Sequence, residues 1–408
     1  MNKYDVIIIG AGPAGISSAI SCAKQGLRVG LLEKNKSIGR KILITGGGKC
    51  NVTQDMPTGA LLHHYGTNQN FVKPALYAYT NTEFRKFLNR NGLSTTAVEN
   101  GKVFPKSMKA MDVVRTFAKI CQELKVDTLS QTEVQDIIQT ETGFEVVTQN
   151  STFYSNNVVV STGGLSFPQT GSTGDGYIFA KKFGHKIRPT KFALAPLFIK
   201  NFKMADLSGL SLQGLQFSTW RNNKKFGEYL GDVLITHKGL SGPGVINASR
   251  DIVKSDIIKL NFYGGRVEQS RETITKLLSS GGKKLVRTVV NEIDLPKRLL
   301  NYLLDEAGID SQLKCADLPK KTRTKIINSL IEYEMEIKEV GNATNAMVTA
   351  GGVHLKEVSP KTMESRMVKG LYFAGEVLDV DGDTGGYNIQ IAVSMGYLIG
   401  EAIGQKYK

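Results

Sequence analysis

The sequence predicts an α/β fold: a Rossmann-like nucleotide-binding domain, split along the chain by an inserted antiparallel β domain and a small helical domain. Three observations predict it. The opening "YDVIIIGAGPAGISSAISCAKQGLRVGLLEK" reads as strand, glycine turn, helix and strand. A second strand, loop and helix, "GLYFAGEVLDVDGDTGGYNIQIAVSMGYLIGEAIG", lies at the other end of the chain. Between them the pattern turns to alternating strands and then to amphipathic helices. The boundaries that follow are 1–190 with 342–408 for the nucleotide-binding domain, 191–267 for the β domain and 268–341 for the helical one.

In the opening segment Val6 to Ile9 form the continuous apolar run of a parallel strand covered on both faces. Gly10, Gly12 and Gly15 follow in G-x-G-x-x-G spacing, with Pro13 and Ala14 inside it. The first glycine permits the tight turn, the second lets backbone approach a pyrophosphate, and the third brings the helix against the strand. Free N–H groups at the helix start attract the phosphate charge. Glu33, with Lys34 beside it, ends the second strand, where an acid accepts hydrogen bonds from a ribose hydroxyl. The spacing therefore predicts dinucleotide binding.

The C-terminal unit decides which dinucleotide. A strand ends at Gly375-Glu376, and Gly385-Gly386 precede a helix whose first turn holds Asn388, Ile389 and Gln390. Such a helix end stabilises negative charge on the pyrimidine edge of a reduced flavin. FAD is thus the expected cofactor, with Glu376 reaching its ribityl or pyrophosphate region.

Together with "GRKILITGGGKCN", "STGGLSFPQTGSTGDGY" and "LITHKGLSGPGVINAS", these segments resemble the HI0933-like (BaiN/aminoacetone oxidase) flavoproteins. That family is a branch of the two-dinucleotide-binding-domain flavoproteins, and the resemblance covers essentially the whole chain. It implies an FAD-dependent oxidoreductase acting on a small organic substrate by hydride transfer at flavin N5. Amine or amino-ketone oxidation and enone reduction both fit it. It also implies that Arg40 and Lys41 meet the ribose or pyrophosphate, that Val134 presents its backbone to the adenine, and that Thr162-Gly163 approach the cofactor.

The loop Gly46 to Lys49 looks like a phosphate loop of an ATPase, but Leu43 stands where the first glycine belongs and Cys50 where the metal-binding hydroxyl belongs. Two readings remain. Gly47 and Gly48 carry the backbone past the flavin with Lys49 polarising its N5 or O4 edge, or the glycines turn the chain and Lys49 is solvated. Cys50 lacks a partner and reads as a packing thiol.

From Glu268 to Glu339 the sequence predicts three or four helices, with Leu299, Leu300, Leu303 and Leu304 on one apolar face and Pro296 and Pro319 at helix starts. Of five histidines, His237 and His354 are the acid/base candidates beside Lys49, and none has metal-ligand spacing. The four cysteines form no C-x-x-C pair, which argues against a disulfide framework or a zinc site.

Fifty-two basic against 37 acidic residues leave a net charge of +15. That field suits RNA, an anionic surface, anionic small molecules or simple solubility. The lysines are spread along the chain without an arginine-rich tail, so nucleic acid ranks below a small-molecule substrate. A flavin-containing RNA-binding or RNA-modifying protein stands as the alternative. There is no uncharged apolar run of about 18 residues that could span a membrane, and the cytoplasm is the expected location. A single fingerprint leaves NAD(P)H as a transient electron donor, and substrate is expected at a domain boundary.

Overall fold

The computed structural model describes residues 3–98 and 100–408. The chain divides into two compact units, Met1–Phe192 with Ala343–Lys408, and Ala193–Asn342. Each has its own hydrophobic core.

The first unit is built on a seven-stranded sheet. Strand Lys3–Ile9 lies between the parallel strands Val29–Glu33 and Thr152–Val160. Asp127–Ser130 extends one side in parallel, and Leu371–Phe373 pairs in parallel with Val158 to Val160. An antiparallel hairpin, Val134–Thr140 and Gly143–Thr148, completes the other side. The central strand is apolar because it is sandwiched: Val6, Ile7 and Ile8 have no exposed surface.

The two ends of the chain meet in this unit. Helix Pro13–Lys24 begins with Gly12 as N-cap and Pro13 in the first turn, where a missing N–H costs nothing. It packs along the C-terminal helix Tyr387–Gly404, where Gly396 and Gly400 leave no room for a side chain. A Cβ on Gly396 would stand 2.4 Å from the Ala14 carbonyl oxygen, and one on Gly400 2.3 Å from Ser21. The close approach lets Ser17 and Ser21 donate hydroxyl hydrogen bonds to the Val393 and Tyr397 carbonyls across the interface, at 2.7 and 2.9 Å.

The second unit is a closed six-stranded barrel with helices attached. Its longest hairpin, Ser211–Arg221 and Lys224–Ile235, turns at Asn222-Asn223, both in the left-handed region. Four helices, Val267–Ser280, Val286–Val290, Lys297–Glu306 and Lys320–Ile331, bury the predicted leucine face. Pro296 and Pro319 are the N-caps of the last two. The stretch read as helical ends differently, however. Tyr333–Val340 is a strand that pairs with Leu197–Ile199 and Ile257–Asn261 and closes the barrel. Its sequence YEMEIKEV alternates, so Met335 and Ile337 face inward while the acids stay outside.

Among the described residues no helix is long and apolar enough to cross a membrane, and no cluster of His, Cys, Asp or Glu is arranged to hold a metal.

Candidate functional site

A long cleft runs along the carboxyl ends of the parallel strands, the place where open α/β sheets bind ligands. It holds about 1290 Å³ of empty space, its solvent-open part included. Its wall contains Gly10, Gly12, Pro13, Ala14, Glu33, Lys34, Arg40, Lys41, Val134, Thr162, Gly163, Gly375, Glu376, Asn388 and Ile389. Residues from both ends of the chain and from its middle are thus brought to one surface.

At one end Glu33 is held tightly. One carboxylate oxygen accepts from the Ala11 amide at 2.9 Å; the other accepts from the Asn35 amide at 2.9 Å and the Asn35 side chain at 2.6 Å. A carboxylate offers about four acceptor positions, so one is left for a ligand hydroxyl. Lys34 reaches across to Thr173 and to Asp175, 2.6 Å away. Asp175 is therefore an ion-pair partner at the start of its helix, whose N-cap is Gly174.

Farther along, Lys41 donates to Ser166 at 2.6 Å and to Glu376 at 2.7 Å. Glu376 also accepts from the Ser166 hydroxyl and the Thr349 amide, at 2.8 and 2.9 Å. The Lys41 and Glu376 side chains are 19% and 18% exposed, so desolvation makes their mutual pairing matter more than that of a surface pair. Arg40 is exposed at the cleft, and its side chain makes no ion pair or hydrogen bond among the described residues. The Thr162 hydroxyl is buried in the wall without a partner, an orphan a polar ligand atom would satisfy.

The remaining sequence-derived residues lie elsewhere. Gly15 is inside the helix, against Gly10 and Ser161. Gly386 caps the C-terminal helix against Asn51 and Thr53. Gly47, Gly48 and Lys49 are exposed and do not line the cleft. Cys50 behind them is buried, and burial pushes its thiol up to about 11, away from reactive thiolate. His237 is an exposed residue of the second unit. His354 sits 3.4 Å from Arg188, outside the cleft wall.

Sequence reasoning missed Ser166 and Thr349, which complete the Lys41–Glu376 network. It also passed over His64, whose Nδ1 lies 2.8 Å from Asp383 just before the C-terminal helix. That pair is separated by 319 residues, a distance at which no local pattern connects them.

A parallel sheet with a glycine-lined cleft at its strand ends defines a Rossmann-type nucleotide-binding fold. The HI0933-like protein Rossmann domain matches residues 4–402, and the chain belongs to that family. Over 402 residues it is 33% identical to the ribosomal RNA dihydrouridine synthase of Haemophilus influenzae, covering 97% of this chain and 98% of that protein. It is 30% identical over 413 residues to the 3-dehydro-bile acid delta(4,6)-reductase of Clostridium scindens, covering 98% of each. The 3-ketosteroid delta1-dehydrogenase structure from Sterolibacterium denitrificans aligns over 100% of both chains at a TM-score of 0.55 and 14% identity, a likeness of fold. The class is that of the FAD-dependent oxidoreductases.

Proposed function

We propose that the chain is an FAD-dependent reductase of carbon–carbon double bonds conjugated to a carbonyl group. One observation carries the direction: the two kinds of full-length relative are named for related chemistry. Dihydrouridine is uridine with two hydrogens added across the ring double bond next to a carbonyl. A 3-oxo steroid unsaturated at positions 4 and 6 is likewise a conjugated enone.

The cleft suits FAD on its own chemistry. In this reading the free acceptor position of Glu33 takes a ribose hydroxyl, and Arg40 with the amides opening helix Pro13–Lys24 holds the pyrophosphate. Val134 offers its backbone to the adenine, and Thr162 pairs its orphan hydroxyl with the cofactor. Lys41 and Glu376 keep each other oriented beside the ribityl chain. Gly386, Asn388 and Ile389 set the helix end that stabilises negative charge. When bound, FAD supplies the hydride at its N5, and a visiting NAD(P)H replenishes it.

Anaerobic rapid mixing tests this. NADPH or NADH is expected to bleach the bound flavin, and an enone to restore the colour. Bleaching by an amine alone, with no response to nicotinamide, would replace reduction by oxidation.

The charge of +15 favours a second reading of the substrate, a uridine within RNA. Binding to a ribosomal RNA fragment should then weaken steeply with salt. Equal retention at low and high salt would leave a small enone as the substrate.

A further inference from the structure

Resting on the FAD reading, a second question concerns the loop before the C-terminal helix. Asp379, Asp381 and Asp383 lie within five residues of one another and end just short of the N-cap Gly386. A helix N-terminus is favourable to negative charge, and a carboxylate placed there competes with a reduced, anionic cofactor for the same pole. Left uncompensated, these acids would oppose cofactor reduction.

Two of them have visible counterparts. Asp379 lies 3.5 Å from the Arg188 guanidinium. Asp383 lies 2.8 Å from His64 Nδ1, and because a carboxylate only accepts, that nitrogen carries the hydrogen. Asp381 is partnered as well, and Asp383 has a further contact besides His64.

The His64 contact is well built. Its ring stacks on Tyr387 at 4.1 Å and 22°, and its carbonyl accepts from the Asp383 amide at 3.0 Å. Next door, the buried Tyr65 hydroxyl donates to the Tyr387 carbonyl at 2.9 Å. The loop is then tied to the cleft. The Asn388 side chain accepts from the Gly382 amide and donates to the Gly382 carbonyl, at 2.8 and 2.9 Å, while lining the cleft wall.

We propose that His64 is a positioning residue that raises the reduction potential of the bound cofactor. By donating to Asp383 it offsets that carboxylate, leaving the positive pole of helix Tyr387–Gly404 to the reduced cofactor.

The test is the midpoint potential of the full-length, FAD-loaded protein. His64→Phe keeps a ring to stack on Tyr387 but loses the donor. It is expected to retain cofactor while its preference for reduced over oxidised cofactor falls at least tenfold, about 30 mV lower for a two-electron couple. Asp383→Asn removes the charge and keeps the size, and its potential should equal or exceed that of the unaltered protein. The double variant should recover most of the loss.

A purely structural clasp predicts the opposite, a double variant as low as His64→Phe or lower, and that result overturns the proposal. So does a His64→Phe potential equal to that of the unaltered protein. If His64→Phe fails to fold, Asp383→Asn decides alone: a potential below that of the unaltered protein overturns the proposal. Unaltered protein that takes up no FAD sinks the functional reading itself, whereas loaded protein with unmoved potentials sinks only this inference.

Discussion

Two glycine-rich segments of the first unit, GAGPAG at residues 10–15 and TGGGK at 45–49, look alike in sequence and differ in kind. In the first, Gly10 also has a φ of +96°, but the demand at Gly15 is spatial. A Cβ on Gly15 would fall 1.9 Å from the Gly10 carbonyl oxygen, whereas one on Gly12 would meet nothing within 4 Å because it points into open space. In the second, the demand is torsional. Gly47 and Gly48 have φ of +64° and +84°, with open space around the first and no atom nearer than 4.0 Å to the second. The same letter therefore reports a crowded junction, an open stretch of cleft wall or a backbone twist.

Substitutions separate these causes. Gly15→Ala has the largest expected effect, because the overlap is with backbone that cannot move aside. A loss of about 4 kcal/mol or more, read as insoluble or unfolded protein by circular dichroism, is expected. Gly12→Ala should fold with a cofactor-free stability within about 0.5 kcal/mol of the original. Its FAD affinity should nevertheless fall at least about 100-fold, roughly 2.8 kcal/mol, by fluorescence titration. A Gly12→Ala protein that keeps its flavin would detach the fingerprint from the cofactor.

Gly47→Ala should cost about 1–2 kcal/mol in denaturant melts, the strain of a left-handed side chain, without altering FAD affinity. Loss of flavin there would return this loop to the cofactor site. Lys49→Ala is the smallest change, with kcat and stability both expected within experimental scatter, about 0.5 kcal/mol. A large drop in kcat would instead make Lys49 part of the chemistry.

Much of this architecture was readable because its signals are local. The apolar run at Val6 to Ile9, the helix after Pro13 and the acid at Glu33 follow one another within one βαβ unit, and each obeys a short-range rule. The barrel strand Tyr333–Val340 was not, since a short alternating run directly after a helix is easily taken as its continuation. Nor was the Lys41–Ser166–Glu376 network, whose members are 125, 210 and 335 residues apart. Only folding brings such residues together. The fit between the two end helices falls between these cases: Gly396 and Gly400 recur every four residues, a helical period that carries meaning once the partner surface of Ser17 and Ser21 is known.

The chain leaves the first unit through strand Ile187–Ala193 and returns to it through Val348–Val353, and these two strands pair with each other. The His354 amide also donates to the Lys186 carbonyl at 2.9 Å, fastening the same doorway. Departure and return thus share one threshold. A longer insert at that doorway would raise the entropy of closing the loop only slowly, because that cost grows with the logarithm of loop length.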